Sequence, residues 1–102
     1  MSGTIAISPE NRWSAAGWLF DWTLEFLADT SANAEVAANL REIVAENLGW
    51  LGLDDYGPKI AADLREVIRH QLVAGADQRL PHTVPDRPAV IELLRELAEK
   101  AS

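Results

Sequence analysis

Apolar residues recur along most of the chain at the spacing of one helix face. Between Ala34 and Leu48, the residues Val36, Ala37, Leu40, Ile43, Val44 and Leu48 share a side, with Glu35, Glu42 and Glu46 opposite. From Pro58 to Ala74 the stripe is Ile60, Ala61, Leu64, Val67, Ile68 and Leu72; after Asp86 it is Val90, Ile91, Leu93, Leu94, Leu97 and Ala98. Each run follows the i, i+3, i+4, i+7 pattern of an amphipathic helix. A fourth run, Trp13 to Asp29, is apolar over a wider arc. Trp13, Ala16, Phe20, Leu24 and Leu27 gather on one face, and Ser14, Asp21, Glu25 and Asp29 on another.

The punctuation agrees with four helices. "TSAN" at 30–33 supplies capping residues, Gly49 and Gly75 follow the ends of stripes, and Pro58 and Pro88 suit first turns. "ADQRLPHTVPD" at 76–86 is a loop held open by Pro81 and Pro85, and Asp86 can cap the last helix. Nothing alternates with period two for long enough to build a sheet. "TIAI" at 4–7 is β-branched at three of its positions but has no second strand in view to pair with, and "SPEN" can open a helical turn with Ser8 as cap. The expected fold is all-α: one domain over 1–102, with a short extended N-terminal tail (1–12) docked on a helical core (13–102) of about four amphipathic helices. Leu40, Ile43, Leu64, Val67, Ile68, Leu94 and Leu97 are central on their stripes and are expected in the core, with Trp13, Trp22 and Trp50 in it or at its edge.

The chain has 102 residues, 48% hydrophobic and 25% charged, the balance of one small globular domain. No apolar run of membrane-spanning length is present, and the N-terminus lacks the basic and apolar regions of a secretory signal. There is no cysteine, so disulfides and thiolate metal sites are excluded, which fits a cytoplasmic protein. The two histidines, His70 and His82, are far apart and offer no transition-metal site. Nothing points to a cofactor.

Charge and aromatic content are both lopsided. Residues 1–56 carry nine acids against Arg12 and Arg41, whereas residues 57–102 balance seven with seven. Every Trp, Phe and Tyr lies in the first half. The net charge of −7 repels phosphate backbones, so nucleic acid is not an expected partner. The same field favours encounter with a basic protein, although acidity by itself also serves solubility.

The stretch "WLFDWTLEFLAD" at 18–29 concentrates both features. On a helical wheel Trp18 falls among the acids Asp21, Glu25 and Asp29, and Trp22 sits at their border beside Phe26. Carboxylates without partners stay in water, so this side is expected to be solvated. Trp18, Asp21, Trp22, Glu25 and Asp29 thus form a candidate partner-binding surface, because exposed tryptophan is enriched at interface hot spots and its ring attracts cations. The competing expectation is structural: "TIAI" or the "WLGL" linker folds over Trp18 and buries it.

Other candidates are weaker. His70 follows Glu66 by four, the spacing of an acid–base pair but also of an ordinary surface pair. "DDYGP" at 54–58 reads as a capping loop that could also meet a cation. No nucleophile motif or phosphate loop is present, so no catalytic residue is assigned and the chain is not expected to be an enzyme. Small, acidic, all-helical immunity proteins that block basic nucleases resemble it in size and charge, but no run of residues matches them. The expected function is therefore a protein-binding module of immunity, antitoxin or adaptor type, acting on a basic protein and not on a membrane. Two alternatives are a homodimer joined across Trp18 or Trp22, and an apolar-ligand binder with a pocket among Trp13, Trp22, Trp50 and Tyr56.

Overall fold

A computed structural model describes residues 2–102. It overturns the all-α expectation, because the supposed tail is the middle of a sheet. Strand β1 (Ser2–Ser8) turns at Pro9 and Glu10 into strand β2 (Asn11–Ala16), which runs antiparallel to it. A third strand, β3 (Trp50–Gly52), lies parallel to β1 on its other side, giving the order β2-β1-β3. "SPEN" is thus a hairpin turn and not a helical one. The first helix, α1 (Gly17–Thr30), begins only after β2 ends. It is followed by α2 (Ala34–Ala45), a short 3₁₀ turn (Leu53–Tyr56), α3 (Pro58–His70), α4 (Leu72–Arg79) and α5 (Arg87–Lys100). Among the described residues, the molecule is an α+β domain of five α-helices on a three-stranded mixed sheet, not a four-helix bundle.

The helices cover one face of the sheet. Ile5, Trp13 and Leu51 stand in register across the three strands, all buried, and Gly3 lets β1 close directly on α1. A Cβ on Gly3 would lie 2.2 Å from the Phe20 ring, so no larger residue fits there without displacement. Neighbouring residues along a strand point to opposite faces. Thr4, Arg12, Ser14 and Trp50 therefore occupy the other face, which no helix covers, and the Thr4 and Ser14 hydroxyls bond across it at 2.9 Å.

The helical stripes bury at their centres, whereas Leu48 and Leu93 on them are exposed. Leu40, Ile43, Leu64, Ile68, Leu94 and Leu97 are in the core, and Val67 is half-buried at its edge. Thr23 is the one buried polar residue among those described, and its hydroxyl donates to the Leu19 carbonyl at 2.8 Å, which satisfies it.

Three helix ends differ from the expected ones. Helix α2 stops at Ala45, short of Gly49. Asn47 takes a left-handed backbone (φ 53°), Leu48 N–H bonds to Ile43 O, and Asn47 N–H bonds to Val44 O. This is a Schellman ending with Asn in the position glycine usually takes. Gly75 ends nothing: it lies inside α4, where a side chain would meet the Phe26 ring at 2.2 Å. Asp86 precedes α5 in a left-handed conformation and makes no side-chain cap; Arg87 instead ties the end of α4 to the start of α5 through the Asp77 carbonyl at 2.6 Å. No helix of the described residues is long and apolar enough to cross a membrane.

Candidate functional site

The five residues singled out on α1 do share one side of the helix. Trp18 is 49% exposed, so neither "TIAI" nor "WLGL" covers it: both are strands of the sheet. Trp22 is half-buried and stacks on Phe26, with ring centroids 5.6 Å apart and planes 18° apart. The acids beside them are less free than the sequence suggests. Arg41 on α2 reaches Asp29 at 2.8 Å and Glu25 at 3.7 Å, and Arg79 on α4 reaches Asp29 at 3.5 Å while lying over the Phe26 ring. Of the three acids only Asp21 has no ion partner among the described residues. The face is therefore an aromatic ridge bordered by pairs that tie α1 to its neighbours, rather than a bare acidic patch. Exposed pairs of this kind contribute about 0–1 kcal/mol each.

A second surface lies on the other side of α2. Arg41 is two positions from both Asn39 and Ile43, about 200° around the helix, so the α1 ridge and this surface are separated by the body of α2. It is an open groove of about 440 Å³ between α2 and the free edge of β3, walled by Asn39, Ile43, Leu48, Trp50, Asp55 and Tyr56. The Schellman ending of α2 places Leu48 there 61% exposed, and Trp50 is 43% exposed. Both positions correct the sequence assignment, which put Leu48 on a core stripe and Trp50 in or beside the core. Trp50 belongs to the uncovered face of the sheet, where the Arg12 guanidinium stacks 5.3 Å from its ring centroid.

The "DDYG" segment forms the end of the groove. Tyr56 donates its hydroxyl hydrogen to Asn39 Oδ1, bridging the 3₁₀ turn to α2. Burial, and secondarily the charge of Asp55, raises the Tyr56 phenol above its ordinary value. Asp54 is held by Arg65 at 3.0 Å, and the same guanidinium binds the Ile7 carbonyl at 2.8 Å, so Asp54 braces the sheet against α3. Asp55 has no ion partner among the described residues and faces the groove.

The aromatic ligand pocket expected among Trp13, Trp22, Trp50 and Tyr56 does not form. Trp13 is 3% exposed and spends its indole N–H on the Leu93 carbonyl of α5 at 2.9 Å. Trp22 faces α4 across Phe26, and only Trp50 and Tyr56 share a groove. A larger depression of about 630 Å³ runs between the end of α1 and α3, with the Lys59–Asp63 pair along its α3 wall. His70 meets Glu66 at 3.1 Å with both side chains mostly in water, an arrangement of a surface pair. Among the described residues no three His, Asp or Glu side chains gather as metal ligands. Comparison with family models, with curated proteins and with solved structures finds no match.

Proposed function

We propose that this protein is a small binding module that captures a partner protein with a basic surface, in the manner of an immunity, antitoxin or adaptor protein. The observation that carries this is Trp18: a large apolar ring left 49% in water at the start of α1, while the two segments expected to cover it are built into the sheet. Trp18 and Trp22 supply the apolar contact, and Asp21 with the second oxygen of Glu25 supplies the complementary charge, beside an Asp29 held by Arg41 and Arg79. The net charge of −7 supports the same partner class by speeding encounter with a cationic surface. Nothing in the chain depends on an oxidising compartment, and the proposed setting is the cytoplasm.

The test separates surface from scaffold. Trp18→Ala should melt close to the parent chain and speed release of a partner isolated on the parent chain, because a desolvated ring acts after encounter. Association should slow as ionic strength rises past about 0.15 M, where the Debye length is about 8 Å. A large drop in melting temperature would mean that Trp18 is structural. Concentration-dependent mass abolished by Trp18→Ala would point to a homodimer instead.

A further inference from the structure

The groove beside β3 has a strand edge as its floor. A parallel pair engages alternate residues of each strand. With Thr4 N–H bonded to Gly49 O at 2.9 Å and Leu51 opposite Ile5, the backbone groups of β3 that serve β1 belong to Gly49, Leu51 and Leu53. Trp50 and Gly52 turn theirs outward. The Gly52 carbonyl enters the 3₁₀ turn that follows, which leaves the Trp50 N–H, the Trp50 carbonyl and the Gly52 N–H without a backbone partner among the described residues. Unpaired edges of this kind template an added strand.

We propose that this edge receives an extended, Lys- or Arg-bearing segment of a partner protein as a fourth strand, laid in the groove between β3 and α2. The surface is distinct from the α1 ridge and the proposal stands or falls separately from it. Side chains of an extended segment alternate between two sides. Those on the helix side meet Ile43 and Leu48, while those on the open side lie beside Trp50. The groove has an acidic rim: Asp55 lines one end, and on α2 Glu42 and Glu46 lie about 60° and 20° from Asn39 on the helix wheel, on the side away from Ile43, with no ion partners among the described residues. The stacking of Arg12 on Trp50 shows that this ring accepts a guanidinium. A second copy of the chain is a poor occupant, because pairing two β3 edges about a two-fold axis sets Asp55, Glu42 and Glu46 against their own kind.

The probe is a set of peptides about six residues long, the usual strand length, alternating Lys or Arg with Val, Ile or Phe. Binding is read by fluorescence anisotropy, and backbone amide shifts and hydrogen exchange locate it. The expected result is binding that protects the Trp50 and Gly52 amides. Methylating alternate peptide nitrogens should abolish it, and Trp50→Ala or the pair Glu42→Lys and Glu46→Lys should weaken it about tenfold or more. Trp18→Ala should leave it unchanged, which keeps this test apart from that of the α1 ridge. The proposal is overturned if no peptide binds more tightly than about 1 mM. It is equally overturned if methylated peptides bind as well as unmethylated ones, if the protected amides lie elsewhere, or if the edge proves to be occupied by a second copy in sedimentation at increasing concentration.

Discussion

The two faces of the sheet use the same residue types to opposite ends. On the covered face Trp13 is locked between the hairpin and α5, its N–H satisfied and its ring out of water. On the open face Trp50 lies under a single arginine with much of its ring in solvent. Gly3 and Gly52 make a second matched pair: a side chain at Gly3 would strike the Phe20 ring in the core, whereas one at Gly52 would strike the Asp55 carboxylate, which is exposed. Strand parity, rather than residue type, decides which tryptophan is core and which is surface.

Substitution at matched positions can break that contrast. The largest effect is expected at Trp13. Trp13→Ala empties a buried site and removes the indole bond to the Leu93 carbonyl, and should cost about 3–5 kcal/mol in denaturant unfolding. Trp50→Ala should cost less than about 1 kcal/mol, as for most exposed positions. Equal costs would mean that the two faces are not energetically different. Next in size is Gly3→Ala, which overpacks the core against the Cβ and ring of Phe20 and should cost about 1–3 kcal/mol. Gly52→Ala should cost clearly less in the same assay, because the carboxylate it meets can swing into water.

The smallest effect concerns Tyr56. Its folded-state pKa is raised above the ordinary value of about 10, so the native state holds the phenolic proton more tightly than the unfolded chain does. The associated stability is fully present below about pH 10 and is lost as pH climbs through the folded-state value. Ultraviolet titration should show Tyr56 ionising late, and Asp55→Asn should bring the ionisation partway back. An unchanged titration curve would remove Asp55 as a contributor.

The parts of the fold that the sequence discloses are those written locally. The stripes through Leu40, Leu64, Ile68, Leu94 and Leu97 bury as their spacing requires, and the concentration of acids and aromatics in the first half is plain from the residues. The sheet is hidden for three reasons. "NRWSAA" has no β-branched residue and, with Trp13, Ala16 and Phe20, continues the helical spacing of α1 backwards. "WLG" is too short to alternate. Its partnership with "TIAI" is made across α1 and α2, beyond the reach of any local window. The site suffers likewise: Trp50 can be placed only once its strand is known, and the neutralisation of Glu25 and Asp29 comes from arginines on two other helices.

The parallel pairing of β1 with β3 also imposes an order on folding. The β1–β2 hairpin and the individual helices need only neighbours, and such elements form within about 10 μs. Registering Thr4 against Trp50 requires the whole α1–α2 stretch to fold back first, so closure of the sheet carries the loop entropy of that long excursion. Until that step is complete Leu51 has no place in the row with Ile5 and Trp13, and the face destined for the helices lacks one of its walls. Any state in which the sheet is unclosed leaves the β3 side of β1 unpaired and its apolar face open to other chains.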